Sequence, residues 1–477
     1  MRVEDLLRHS ARRYRGKTAV ICGDGRYPYE WIQDESTRQA NLLLQCGIRP
    51  GSRVGICLDN SIDAIVWMFA VAIARSTFFL VSPQARPERL HQLMSDAGAT
   101  ALIVRDNGQA AIRARHDPGA AERSGEDLAA LVYTSGSTGA PKAVMLTHTN
   151  VCAAAASIST YLENTADDVI LCALPLSFTY GLGQVMTAFR VGATVVLERS
   201  FTYPLTVLDT LAQERVTGLP LVPTMVTLLL RHGLAERQLP ALRYITNAAA
   251  ALSEDKIRTL AAALPDVRIY SMYGQTECQR ATFLPPELIE ENPTSVGGPI
   301  PDTDAAVVDE QGRDVPPGVV GELVVRGPHV MRGYWHQPEA TVQALRPRAD
   351  GNLWLFTGDL FRQDRDGLLY FVERRDAMIK SRGEKVAPRA VEEVIARLRG
   401  IAEVGVYGVP DELLGQAIAA AVTLEPGASL DAAHIRRHCL ANLESYMVPK
   451  VVEIRASLPT TATGKVNRVA LLQEAVS

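Results

Sequence analysis

The sequence predicts an α/β protein with a large N-terminal domain of stacked parallel sheets covered by helices, a β-rich subdomain behind it, and a small α+β domain at the C-terminal end. Three observations predict it. From residue 53 to residue 271, apolar β-forming runs alternate with helix-period segments, the order that yields helix-covered parallel sheets. From Ala305 onward the texture changes to short strands broken by Gly and Pro. Finally, 477 residues exceed what one ordinary core organises, so two or more domains are expected.

Residues 53–58 form the first strand of this alternation, Ser61 caps a helix through about Ala74, and 78–81 is a strand again, which completes one β-α-β unit. The apolar run 65–74 is bounded by Asp63 and Arg75 and is about half of the ~20 residues needed to cross a bilayer. It is therefore expected to be a core helix. A helix over 87–97 and strands at 101–104, 169–173, 193–197, 243–246 and 267–271 continue the pattern. Between Arg105 and Asp127 the periodicity disappears, and a solvent loop or poorly ordered segment is expected. Strands at 305–308, 321–325, 353–356 and 367–372 make up the β-rich subdomain. The tail has strands near 403–407 and 417–423 and helices near 388–398 and 431–443.

Charge and cysteine content narrow the partners. The 49 Lys+Arg against 53 Asp+Glu leave a net charge of −4 with no basic block, which argues against nucleic acid. Seven scattered cysteines without a CxxC pair read as reduced, mostly buried thiols. Residues 1–5 carry early acids and no signal-peptide core, so a cytoplasmic protein without a membrane span is expected.

The most informative segment is Leu131-Val132-Tyr133-Thr134-Ser135-Gly136-Ser137-Thr138-Gly139-Ala140-Pro141-Lys142. A β-forming run passes into a loop in which Gly136 and Gly139 let the backbone N–H groups turn toward an anion. Thr134, Ser135, Ser137 and Thr138 add hydroxyls, and Lys142 adds a mobile positive charge. The same composition also fits a flexible Ser/Gly surface turn. It fails the Walker pattern, because Pro141 precedes the lysine and Ala143 follows it.

Four further segments follow in order: Tyr273-Gly274-Gln275-Thr276-Glu277, Thr357-Gly358-Asp359, 374–383 and 459–468. Together with the first loop they resemble the adenylate-forming (AMP-binding) superfamily of acyl-CoA synthetases, stand-alone adenylation domains and luciferases. The resemblance implies an N-terminal ATP- and acid-binding domain over 1–375, its β-rich part at about 300–375, and a mobile C-terminal domain over 376–477 hinged at Asp376. It implies that the loop 134–142 holds the β- and γ-phosphates, that Tyr273 stacks on adenine, that Thr276 bonds the α-phosphate and that Glu277 holds Mg²⁺. Asp359 is implied to take the ribose hydroxyls, and Arg374 to reach the ribose or phosphate. Lys465 is implied to bridge the attacking carboxylate and the α-phosphate. Lys380 and Gly383 belong by resemblance to the segment presented to a thiol. Taken alone, Tyr273-Gly274 also fits a strand-ending turn with Glu277 solvated, and Gly358-Asp359 fits a turn between strands. Two departures stand out: Glu373 replaces a glycine usual in the family, and Pro388-Arg389-Ala390-Val391-Glu392 has an alanine at a position usually held by glutamate, which weakens the expectation of local salt bridges.

The implied acyl pocket includes Phe178, Thr179, Tyr180, Ala248 and Ala249, although such side chains can equally be core packing. Amino-acid-activating relatives place an aspartate where Thr179 stands, and a buried ammonium without a counter-ion is costly. Many acyl-CoA synthetases place a histidine at about Phe178, which is also missing. The expected reaction is ATP-dependent, AMP-forming activation of a small carboxylic acid lacking an α-amino group. The acyl group then passes to a phosphopantetheine thiol, of CoA or of a separate acyl or peptidyl carrier protein. Gly333-Tyr334-Trp335 resembles acyl-CoA synthetases, although similar segments occur in stand-alone enzymes that load carrier proteins, and no carrier domain is read after Ser477. The alternatives are an amino-acid-activating stand-alone enzyme, a luciferase-like oxygenase and a non-catalytic nucleotide-binding relative.

Overall fold

The structure, a computed structural model, describes residues 1–115, 127–135, 141–250, 252–381, 384–411, 414–461 and 465–476. It divides into two compact units: Met1–Ala306 with Val324–Thr357, and Val307–Leu323 with Gly358–Ser477.

The first unit is α/β and holds two large sheets. In the nine-stranded sheet, Arg268–Tyr273, Tyr244–Asn247, Gly218–Leu221, Val169–Cys172, Thr194–Leu197 and Thr18–Cys22 lie side by side and parallel. Thr194–Leu197, Gly218–Leu221 and Tyr244–Asn247 are buried along their whole length, as expected for strands covered on both faces. The seven-stranded sheet has the parallel centre Leu128–Ser135, Thr77–Leu80, Arg53–Cys57 and Ala101–Asp106. Antiparallel strands close the edges of both sheets.

Helices Val3–Arg13, Ile62–Ile73, His148–Tyr161 and Thr179–Val191 pack on one another in a layer that touches strands of both sheets. Ile62–Ile73 is the core helix expected from the apolar run. Ser61 Oγ accepts a hydrogen bond from the Ala64 amide at 3.3 Å, and every residue from Ala64 to Ala72 is buried.

One expectation fails here. Part of the presumed loop at 105–127 is a strand, Gln109–Arg115, antiparallel to Ala101–Asp106. The two are joined by Asn107 and Gly108 with φ of +46° and +83°, the two-residue turn that an Asn-Gly pair favours. The turn residues carried the signal, while the edge strand itself lacked an alternating pattern. Residues 116–126 lie outside the described residues.

The second unit is α+β at its C-terminal end. Glu384–Val386, Ile379–Ser381, Gly415–Leu424 and Ile401–Asp411 form an antiparallel sheet, and Val451–Ile454 runs parallel to Gly415–Leu424. Alternation along Gly415–Leu424 divides the packing. Ile418, Ala420 and Val422 join Val391 and Ile395 of helix Pro388–Ala396 and Ile435 of helix Ala432–Asn442. Ala419 and Ala421 face the other way, toward Leu471 of helix Arg468–Val476. All seven cysteines are unpaired, four of them buried. No described helix is long and apolar enough to cross a membrane.

Candidate active site

The first motif folds as a hairpin. Leu128–Ser135 pairs with Pro141–Thr147, and Thr134 lies opposite Lys142 and donates its hydroxyl to the Lys142 carbonyl at 3.3 Å. Ser135 ends the first strand, while Gly136, Ser137, Thr138 and Gly139 fall outside the described residues. On the far side of Pro141–Thr147 runs the short strand Gly333–Tyr334, with Tyr334 opposite Val144. Lys142 Nζ sits 5.4 Å from the centre of the Tyr334 ring.

The second motif is the loop between Arg268–Tyr273 and Thr282–Phe283, closed by the pairing of Tyr273 with Thr282. Tyr273 therefore ends a strand, and Thr276 and Glu277 stand half-buried on the turn beyond it. Gln279 adopts a left-handed φ of +54° and donates its side-chain amide to the Asn150 carbonyl at 3.1 Å, which pins the turn. Glu277 Oε1 accepts a hydrogen bond from the Tyr334 hydroxyl at 2.8 Å. Tyr334 thus touches both motifs. Sequence spacing had no means of placing it there, since 57 residues separate it from Glu277.

The residues expected to line an acyl pocket all lie in the first unit, where Tyr180 reaches the strand that precedes Ala248 and Ala249. Phe178 precedes helix Thr179–Val191, whose entry is tight enough that a Cβ on Gly181 would lie 2.3 Å from the Pro175 carbonyl oxygen. Tyr180 is buried, and its hydroxyl lies 3.0 Å from the Thr246 carbonyl and 2.8 Å from Thr246 Oγ1, on the strand that leads into Ala248 and Ala249. Ala248 is fully buried, whereas Ala249 is exposed and holds a left-handed φ of +70°, a local strain. Burial pushes the Tyr180 phenol up to about 12, against the lowering field of Arg280.

The second unit gathers the remaining motifs. Asp359 is 5% exposed and faces Arg374 across paired strands, with Arg374 Nε 3.7 Å from Asp359 Oδ1. Gly358 takes a φ of +72° and donates its amide to Glu322 Oε1 at 2.9 Å, and the other Glu322 oxygen pairs with Arg375 at 2.9 Å. Asp376 lies in the short turn Arg375–Ala377. Lys380 projects from strand Ile379–Ser381 and is exposed, while Gly383 falls outside the described residues.

Lys465 lies in a loop clamped by the bridge between Thr460 and Val466 and by the Thr461 amide, which donates to the Lys465 carbonyl at 2.7 Å. Its side chain keeps contact with solvent, yet the surrounding protein is the main cause lowering its proton affinity. Asp359 opposes that shift, and Arg374 and Arg468 reinforce it, so Lys465 shares one electrostatic environment with both implied ribose-side residues.

Sequence reasoning also missed a salt-bridge centre nearby. Arg468 pairs with Glu373 at 3.1 Å and with Glu392 at 2.7 Å. Burial alone would lower the Arg468 proton affinity, but Glu392 and then Glu373 hold it above the ordinary arginine value. The missing glutamate at position 390 therefore does not empty this region of ion pairs, because Glu373, the other departure, supplies a carboxylate.

The profile of AMP-binding enzymes matches residues 7–335, and that of the AMP-binding enzyme C-terminal domain matches residues 390–465. The chain belongs to the AMP-binding enzyme family. It is 33% identical to feruloyl-CoA synthase from an Amycolatopsis species, over 94% of each chain. Among solved structures it resembles ATP-bound MatB from Rhodopseudomonas palustris, with a TM-score of 0.88, 27% identity and 99% of each chain covered. It also resembles o-succinylbenzoate coenzyme A synthetase (MenE) from Bacillus subtilis in complex with AMP, with a TM-score of 0.86, 28% identity and 98% and 97% coverage. This AMP-binding enzyme is an ATP-dependent, AMP-forming acid–thiol ligase, as the ordered motifs led one to expect.

The family's metal can be tested against the residues present. Among the described residues of the enzyme no three His, Cys, Asp or Glu side chains gather at a metal-binding separation. Mg²⁺ keeps several waters and takes one or two carboxylates together with substrate phosphate oxygens. Glu277, oriented by Tyr334 and close in the fold to Lys142, is the carboxylate that fits.

Proposed function

We propose that the enzyme activates a carboxylic acid without an α-amino group as its acyl-adenylate and passes the acyl group to the thiol of CoA. The observation that carries this reading is that Lys465 lies in the electrostatic field of the paired residues Asp359 and Arg374, more than ninety residues earlier in the chain. Thr179 at the pocket entrance supports an acid without an ammonium, since it offers no counter-charge. Two of the similar proteins carry coenzyme A in their names, which supports CoA over a carrier protein as acceptor.

The chemistry follows from charge. A carboxylate attacking the α-phosphate brings two anions together, so orientation and neutralisation matter more than proton transfer. Thr134, Ser135, Gly136, Ser137, Thr138, Gly139 and Lys142 cradle the outgoing phosphates. Tyr273 stacks on adenine, and Thr276 holds the α-phosphate. Asp359 accepts from the ribose hydroxyls, with Arg374 beside it. Mg²⁺, when bound at Glu277, supplies charge neutralisation on the phosphates. Lys465 spans the acid oxygen and the α-phosphate, and Asp376 is the pivot that brings Lys380 and Gly383 into the thiol step.

Hydroxylamine trapping of acyl-adenylate across an acid panel tests this. Lys465→Ala should lower acid-dependent pyrophosphate release by at least about 100-fold while ATP binding persists, matching roughly 3 kcal/mol for one such contact. Unchanged turnover would remove Lys465 from the reaction.

A further inference from the structure

Arg280 lies three residues beyond Glu277 and is only 5% exposed. Its Nε is buried without a hydrogen-bond partner. The guanidinium carbon sits 4.6 Å from the centre of the Tyr180 ring. Tyr180 itself is committed, because its hydroxyl is occupied at Thr246. Tyr161 also neighbours Arg280 through a side-chain hydrogen bond to this neutral phenol, while its ring stacks on Phe283 at 4.3 Å and its hydroxyl donates to Met272 Sδ at 3.0 Å. Burial pushes the Tyr161 phenol up, and the positive charge of Arg280 is the first cause opposing that rise. The wall around Arg280 is therefore aromatic. Among the described residues no carboxylate forms an ion pair with it.

The same unit shows how a buried guanidinium is satisfied when it serves structure. Arg53, 1% exposed, donates from Nε to the Ala97 carbonyl and from Nη2 to the Gly98 carbonyl, each at 2.7 Å. Arg243, itself 35% exposed, clasps the buried carboxylate of Asp168 through Nε and Nη2. Arg280 has neither arrangement. A ring face offsets only part of the desolvation of a cation, and a buried arginine without an anion is costly unless a ligand brings one.

We infer that Arg280 binds a second carboxylate on the acid that this enzyme activates, so that its substrate is a compact dicarboxylic acid. One carboxylate faces the nucleotide and reacts, while the other docks on Arg280 against the Tyr180 and Tyr161 rings. The inference rests on the reading of Phe178, Thr179, Tyr180, Ala248 and Ala249 as the acyl pocket. Its consequence for selectivity is direct: an acid whose distal end is neutral leaves the guanidinium unpaired and is rejected.

The experiment compares dicarboxylic acids of graded length with their monomethyl esters, using the full chain, ATP and Mg²⁺ with hydroxylamine trapping. Arg280→Met and Arg280→Lys are assayed beside the parent, with circular dichroism to confirm folding. The parent should favour a diacid over its monoester by about 100-fold in kcat/KM, the usual scale for a buried charge pair. Arg280→Met should abolish or reverse that preference with little loss on the monoester, and Arg280→Lys should restore part of it. Equal losses on diacid and monoester would overturn the inference, because Arg280 would then serve the reacting carboxylate. Selectivity for neutral monoacids in the parent would overturn it as well. If no acid yields an adenylate, the proposed function fails, and calorimetry of the diacids with the ATP-loaded chain still decides the inference. Diacid binding that Arg280→Met abolishes supports it, and no binding to the parent overturns it.

Discussion

Tyr334 donates its phenolic hydrogen to Glu277 Oε1 at 2.8 Å, and the same ring lies under the Lys142 ammonium. One aromatic side chain therefore contacts both the proposed metal carboxylate and the lysine of the proposed phosphate hairpin. Tyr334→Phe keeps the ring and removes the hydrogen bond. The Mg²⁺ concentration for half-maximal pyrophosphate exchange should rise about 10-fold, the scale of losing a group that orients a metal ligand. An unchanged Mg²⁺ titration would sever Tyr334 from the site.

Gly274 is required by the close approach of backbone across its own loop. A Cβ there would lie 2.4 Å from the Gln279 carbonyl oxygen and 2.8 Å from the Arg280 Cα. Gly274→Ala must displace the turn that carries Thr276 and Glu277, at about 1–3 kcal/mol for such overpacking. Both the melting temperature and the adenylation rate should drop. Gly298→Ala, where an added Cβ meets nothing within 4 Å, is the matched control and should change neither.

Arg468 holds two carboxylates, of which Glu373 is 4% and Glu392 is 17% exposed. Arg468→Met leaves the buried Glu373 and the half-buried Glu392 without their cation. Because Arg468 itself is 28% exposed, the loss is set below the full buried-pair range, at about 2 kcal/mol. Urea unfolding should show it, together with faster proteolysis of the chain beyond residue 358. Coincident parent and variant curves would contradict the assignment.

Acid should weaken the first unit through two buried imidazoles. Burial lowers His148 and His329 from 6.5 to about 4, with Arg2 adding to the effect at His148. Between those values the unfolded chain binds more protons than the folded one, so stability rises with pH across that window. The contribution is complete above pH 6.5, is lost as pH falls toward about 4, and amounts to an order of 3 kcal/mol for each histidine. Melting temperatures at pH 7 and pH 5 check it. His329→Gln should flatten the slope, and an equal slope in parent and variant would rule His329 out.

Much of the fold was legible in local sequence. The Ile62–Ile73 helix followed from an apolar run behind a capping serine, and most of the parallel strands followed from short β-forming runs between helical segments. Gln109–Arg115 was not legible, because an edge strand needs no two-sided apolar pattern, and its one local sign, the Asn107-Gly108 pair, was passed over.

The site divides in the same manner. The ordered motifs pointed to a nucleotide-dependent ligation through their resemblance to the adenylate-forming superfamily, which is legible in sequence because each motif is short and contiguous. Folding alone set which of them stand together. Tyr334 reaches Glu277 only because Gly333–Tyr334 pairs beside the phosphate hairpin, and Asp359 faces Arg374 only through strand register. The unpaired charge of Arg280 was likewise invisible beforehand, since whether an arginine lies in water or among aromatic rings depends on contacts between residues far apart in the chain.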